Sequence, residues 1–166
     1  KDCLQIKKFD KVIVSTDSKK YAKIALSFGA EVPFLRSKKN SQDKSEDIEF
    51  LKEIYDFYKK KNIFYNYLVH MRPTTPLRRL ETLEKILNFF KKNIKKFDSL
   101  RSVQKMSESS YKSFIIKNKN YLIPTFKKNK KLDYFNKPRQ FFPDTFFPNG
   151  YMDIYKTKNL LKKTLY

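Results

Sequence analysis

Ile63-Phe64-Tyr65-Asn66-Tyr67-Leu68-Val69 runs straight into His70-Met71-Arg72-Pro73-Thr74-Thr75-Pro76-Leu77-Arg78. The first run is aromatic and apolar and reads as a buried strand, at Tyr65–Met71. A helical pattern begins near Leu80. The proline- and threonine-rich stretch is therefore a loop at the carboxyl end of a strand, where open α/β sheets bind their ligands. Prolines stiffen such a loop and threonines offer it hydroxyls. Arginines at Arg72 and Arg78 offer planar forks that match anions.

On either side of this stretch, strands and helices alternate. Lys11-Val12-Ile13-Val14-Ser15 is a β-branched run ending in Thr16-Asp17-Ser18, a turn and N-cap signal. Lys19–Phe28 carries Tyr21, Ile24, Ala25 and Phe28 at helical spacing, and Gly29 closes it as a C′ residue. Glu31–Leu35 reads as a short or edge strand because of Pro33. Ser45-Glu46-Asp47 opens a helix whose stripe is Ile48, Leu51, Tyr55 and Tyr58, with Ile54 beside it. Leu80–Ile94 places Leu83, Ile86, Leu87 and Phe90 on one face. Asp98–Val103 is a further strand. This alternation predicts an α/β fold with a mostly parallel, Rossmann-like sheet covered on both faces.

The pattern changes after Lys105. Ser113–Ile116 and Tyr121–Ile123 read as a hairpin across Asn118-Lys119-Asn120. Lys127–Asp144 has no clear period, Asn149-Gly150 reads as a tight turn with glycine at positive φ, Tyr151–Tyr155 as a strand, and Lys158–Lys163 as a short helix.

At 166 residues the chain is long enough to bury a core. No apolar run is long enough to span a bilayer and no leader is visible. The single cysteine, Cys3, excludes an internal disulfide and a cysteine-based zinc site, so a cytoplasmic setting is expected. The net charge is +21, from 38 Lys and Arg against 17 Asp and Glu. Two readings compete: nonspecific nucleic-acid binding, and compositional bias with lysines solvated at helix ends. The lysine pairs are spread along the chain, which favours the second reading and argues against a specific nucleic-acid partner. No glycine-rich phosphate loop is present. His70, the only histidine, reads as a packed structural residue. Asp17 reads as a turn cap rather than a metal ligand. Phe141, Phe142, Phe146, Phe147 and Tyr151 read as a packed dimer surface rather than a base-stacking strip.

Several segments together resemble the acylneuraminate cytidylyltransferases, the CMP-sialic acid synthetase family. Phe9-Asp10-Lys11-Val12-Ile13-Val14-Ser15-Thr16-Asp17 is similar to the family's strand ending in Ser-Thr-Asp. Ala22 through Val32, followed by Leu35-Arg36, is similar to the next block. Arg72-Pro73-Thr74-Thr75-Pro76-Leu77-Arg78 resembles the signature Gln-Pro-Thr-Ser-Pro-Leu-Arg. Lys137-Pro138-Arg139-Gln140 and Pro148-Asn149-Gly150 resemble two later signatures.

The resemblance implies a three-layer sheet of the nucleotide-diphospho-sugar transferase type with a small β-containing dimerisation insertion. It implies one partial cytidylyltransferase domain over residues 1–166, with the insertion at about 106–150, in a homodimer with no membrane association. The implied reaction joins CTP to an acidic nine-carbon sugar, with Mg²⁺ assisting, and releases pyrophosphate. Carried over by position, Arg36 and Ser45 lie at the nucleotide, Arg72, Thr74, Thr75 and Arg78 at the sugar, and Arg139 in a catalytic role. No metal ligand is carried over. The family has Gln where this chain has Arg72, and Phe147 stands where the family has a second arginine. The family's triphosphate loop precedes, and its metal aspartates follow, the residues matched here, so these residues alone are expected to be inactive. Alternatives are a catalytically inactive paralogue, another nucleotide-sugar synthetase such as a CMP-Kdo synthetase, and a nonspecific nucleic-acid binder.

Overall fold

The computed structural model describes residues 2–126 and 132–162. The lysine pairs Lys127-Lys128 and Lys130-Lys131, and Lys163, lie outside the described residues. The chain divides into two compact units, Lys1–Arg101 with Tyr151–Tyr166, and Ser102–Gly150.

The first unit carries the helices α1 (Asp2–Gln5), α2 (Lys19–Ser27), α3 (Asp47–Lys60), α4 (Leu80–Lys92) and α5 (Thr157–Leu161). Strands β1 (Tyr67–His70), β2 (Ser99–Lys105) and β5 (Phe146–Lys156) hydrogen-bond in the order β1-β5-β2. Side chains alternate across β5. Met152 and Ile154 are fully buried against Leu83 and Phe90 of α4. Tyr155 is buried against Leu51 and Tyr55 of α3. The two helices therefore cover opposite faces of the strand, and the α3 face also receives Asp153.

The helix ends follow from local chemistry. Ser18 is the N-cap of α2, its Oγ accepting from the Tyr21 N–H at 3.4 Å. After α2, Gly29 N donates to Leu26 O and Ala30 N to Ala25 O, with Gly29 at φ +85°, a Schellman ending. Asn62 does the same after α3 at φ 58°, with Ile63 N donating to Tyr58 O. Lys59 and Lys60, and Lys91 and Lys92, occupy the last turns of α3 and α4, where cations suit the helix dipole.

The second unit holds a hairpin of β3 (Phe114–Lys117) and β4 (Tyr121–Pro124), paired antiparallel. Its loop places Asn118 and Lys119 both at positive φ, the signature of a type I′ turn. Phe142 is buried there beside Tyr111, Tyr134 and Phe141.

Four expectations are corrected. The sheet is not mostly parallel among the described residues: β1 pairs antiparallel with β5, in the register Tyr67↔Lys156 to His70↔Asp153. Strand–helix alternation predicts crossovers but not that a distant segment returns beside β1. The parallel element is a single bridge, Ile13↔Glu31, and the segments around it do not extend into strands. The apolar stripe of α2 is not a core face: Ala22 is buried, but Tyr21, Ile24 and Phe28 are exposed, because helical periodicity fixes which side chains share a face and not how far that face is covered. Asn149-Gly150 is not a turn but lies inside β5, with Gly150 at φ +66° marking a local break in the extended backbone. The helix that Ser45-Glu46-Asp47 opens has Glu46 as its N-cap, as a capping box with Glu49.

Candidate functional site

The carboxyl end of β1 and the amino end of α3 meet on the same face of β5. Residues opposite each other in an antiparallel pair share a face, so the His70↔Asp153 register sets both side chains beside Asp47, the first residue of α3. Arg72, just past β1, lies between the two aspartates. Its Nη1 donates to Asp153 Oδ2 at 2.7 Å and its Nη2 donates to Asp47 Oδ2. The Tyr155 hydroxyl donates to the same Asp153 oxygen at 3.0 Å, and Arg101 Nη2 lies 3.4 Å from it.

Two arginines thus face two aspartates, and the corner is balanced in charge. Burial opposes the Arg72 charge, but its hydrogen bonds to Asp153 and Asp47 outweigh that and hold the guanidinium firmly protonated. The Asp153 side chain is 1% exposed and that of Asp47 is 36% exposed. Asp153 Oδ1 is buried without a hydrogen bond among the described residues.

His70 sits beside this corner. Its ring meets Phe50 edge-on at 5.3 Å, and its Nδ1 is buried, makes no hydrogen bond among the described residues, and lies 3.8 Å from Asp47 Oδ2. Burial holds the imidazole below its ordinary value, against the raising pull of Asp47. The ring is neutral at pH 7. The expected packed histidine is what the structure contains, with one addition: a carboxylate neighbour is present.

Arg36 reaches the same neighbourhood from another side. Its guanidinium lies 4.4 Å from the centre of the Phe50 ring, a cation–π contact. Its Nε donates to Ser15 Oγ at 2.9 Å and its Nη2 to Ser15 O at 2.6 Å. Arg36, Phe50, His70, Asp47, Arg72 and Asp153 form one continuous chain of contacts.

Arg78 braces the loop, its Nε donating to Tyr151 O and its Nη2 to Arg72 O, each at 2.7 Å. Thr75 N donates to Arg72 O at 3.2 Å and closes the Pro-Thr-Thr-Pro turn, whereas Thr74 is exposed. Leu77, at 90% exposure, projects from the same loop. The Ser45 hydroxyl is turned to its own loop, donating to Lys39 O at 3.0 Å and accepting from Gln42 N at 3.1 Å. Arg139 belongs to the second unit. It is exposed in a short 3₁₀ turn and lines a small hollow with Met106, Ser109 and Phe142–Thr145.

Sequence reasoning missed Asp47, Asp153, Arg101 and Tyr155. One signal was available for Asp153: a lone carboxylate within Tyr151-Met152-Asp153-Ile154-Tyr155 must be paired if that strand is buried. Asp47 gave none, because an acidic residue in a first helical turn has an ordinary role there. Among the described residues no three His, Cys, Asp or Glu side chains come together as a metal site, and Asp47 and Asp153 are both committed to Arg72. These residues do not fit a divalent-metal centre.

The end of β1, the amino end of α3 and β5 thus gather paired guanidinium and carboxylate groups in one corner of an α/β domain. Comparison with known proteins makes this specific. The cytidylyltransferase family model matches residues 1–160, and the chain belongs to that family. It is 32% identical over 82 residues to the CMP-N,N'-diacetyllegionaminic acid synthase of Legionella pneumophila, covering 49% of this chain and 35% of that protein. It is 28% identical over 89 residues to a pseudaminic acid cytidylyltransferase of Campylobacter jejuni, covering 54% and 38%. It is 31% identical over 107 residues to the N-acylneuraminate cytidylyltransferase of Escherichia coli, covering 64% and 24%. The matched segments span well under half the length of these relatives.

Proposed function

We propose that this chain is part of an enzyme that joins CTP to an acidic nine-carbon sugar, giving a CMP-sugar and pyrophosphate. In that reaction a sugar hydroxyl oxygen forms a bond to the α-phosphorus of CTP. The bond from that phosphorus to the bridging oxygen breaks, and pyrophosphate leaves with the electron pair. The hydroxyl proton passes to solvent or to a base. The observation that carries the reading is the cytidylyltransferase match over residues 1–160, and the acidic sugars named for the relatives suggest the substrate class.

In this reading Arg72, Thr74 and Thr75 form the sugar site, and Arg78 contributes by holding their loop against β5. Arg36 and Ser45 belong to the nucleotide site. The present bonds of Arg36 to Ser15 support a preorganised guanidinium, and Ser45 would have to release Lys39 O to reach a ligand. Arg139 is the catalytic candidate, exposed and able to meet a phosphate. Mg²⁺ belongs to the intact enzyme, with ligands other than the residues described.

We also place residues 1–166 in one partial domain, with about 106–150 as a dimerisation insertion. The parallel Ile13↔Glu31 bridge supports a Rossmann-like arrangement in the whole protein. The exposed apolar side chains of the hairpin, Phe114, Ile115, Ile116, Tyr121 and Leu122, support a homodimer contact. No described helix is long and apolar enough to cross a membrane, and the single Cys3 suits the cytoplasm.

The test is pyrophosphate release from CTP by the full-length protein, offered a panel of acidic nine-carbon sugars with Mg²⁺. Release with at least one sugar is expected. No release with any of them overturns the reading.

A further inference from the structure

We propose that Asp47 is a specificity-determining residue: its carboxylate occupies the Arg72 position that the substrate carboxylate takes, and substrate binding displaces it. This rests on the functional reading above and adds to it a residue that competes with the substrate.

The geometry of Arg72 is asymmetric. Its Nη1 is anchored on Asp153, whose side chain is 1% exposed and is held in turn by the Tyr155 hydroxyl and Arg101. Its Nη2 meets Asp47, whose side chain is 36% exposed. One half of the guanidinium is fixed in the interior and the other half is satisfied by a group that water already reaches. A planar guanidinium held on one side presents its other side in a set orientation, which suits a carboxylate from a ligand.

Asp47 is also a carboxylate that can leave. It is the first residue of α3, where the free N–H groups and the helix dipole stabilise a negative charge without a cation. Asp153 has no such alternative, because its strand buries it. His70 Nδ1, 3.8 Å from the Asp47 oxygen and without a hydrogen bond among the described residues, offers a further polar neighbour to the shifted aspartate. With the substrate on Nη2, the corner would keep two guanidinium groups against Asp153 and the ligand, and Asp47 would turn to solvent. Affinity for the acid is then set by the difference between the ligand and Asp47 as partners of Arg72, not by Arg72 alone.

The experiment uses the full-length protein with the acidic sugar that supports the fastest pyrophosphate release, and Asp47→Asn beside the wild type. Removing the competing charge is expected to lower KM for the sugar about threefold to fivefold, the size of one half-exposed ion pair, with kcat and KM for CTP unchanged. Asp47→Glu, which restores a competing carboxylate, is expected to return the sugar KM toward the wild-type value. An unchanged or raised sugar KM in a folded Asp47→Asn protein would overturn the proposal. Failure of that variant to fold would overturn it as well, since a displaceable carboxylate cannot be required by the fold. If the wild type itself turns over no acidic sugar, the functional reading fails first and this inference falls with it. If the wild type is active and Asp47→Asn is indifferent, only this inference fails.

Discussion

The Arg72 corner and the β3–β4 hairpin solve opposite problems. At the corner, charges are drawn into the interior and every one has a counter-charge: Arg72 and Arg101 face Asp47 and Asp153, and a neutral His70 fills the remaining space. On the hairpin, apolar side chains are left outside, with Ile116 and Leu122 each 67% exposed. The first region has its partners within the chain. The second has surface that the described residues do not cover. Substitutions should therefore act on folding at the corner and on association at the hairpin.

The largest effect is expected at Asp153. Asp153→Asn leaves Arg72 and Arg101 facing each other without the buried carboxylate, at a cost of about 3–5 kcal/mol. Urea denaturation of the variant would show it, and a loss below ~1 kcal/mol would mean that the corner is solvated rather than closed. His70 gives a pH signature. Its native value lies below the ordinary 6.5 because of burial, so the unfolded chain binds the proton more readily. Its contribution to stability is complete above pH 6.5 and is lost as the pH falls through the depressed native value. The urea midpoint should drop over that window, and His70→Gln should flatten the drop. An equal slope in both proteins would remove His70 as the cause.

Asp47 should matter much less to folding than Asp153. Its side chain is half-exposed, so Asp47→Asn should cost about 1 kcal/mol or less in the same denaturation assay. A loss equal to that of Asp153→Asn would erase the asymmetry on which Arg72 is read. The smallest effect on folding is expected at Ile116. Ile116→Lys should leave stability within about 0.5 kcal/mol, as exposed substitutions do, while sedimentation shows less self-association. If sedimentation is unchanged, the hairpin is not the contact.

How much of this could be read in the sequence follows the range of the interactions. Of the helices of the first unit, α2 to α5 were legible because their signals are local, whereas α1 was not read. The Leu51-Ile54-Tyr55-Tyr58 and Leu83-Phe90 faces are buried as the periodicity requires, and Gly29 ends its helix as its φ allows. The hairpin was legible from its own turn residues. Strand neighbours were not, because β1 and β5 are far apart in the chain and alternation carries no information about which strand returns beside which. The stripe of α2 misled for a related reason: periodicity shows which side chains share a face, not whether anything covers it. Arg36, Arg72 and Arg78 stood out in the sequence because they lie in the blocks that carry the family resemblance, although Arg72 itself departs from the family's Gln. The carboxylates that decide what Arg72 can do lie in α3 and β5, and only folding brings them to it.

If the corner at the end of β1 reads the carboxylate of an acidic sugar in a CTP-dependent transfer, as proposed, masking that carboxylate must weaken the reaction. The direct measurement is pyrophosphate release by the full-length protein, with the preferred acidic sugar compared with its methyl ester. The account predicts turnover of the acid and at least a tenfold lower kcat/KM for the ester, the loss of one charge-assisted, geometrically set pair. Equal kcat/KM for the two compounds would contradict it.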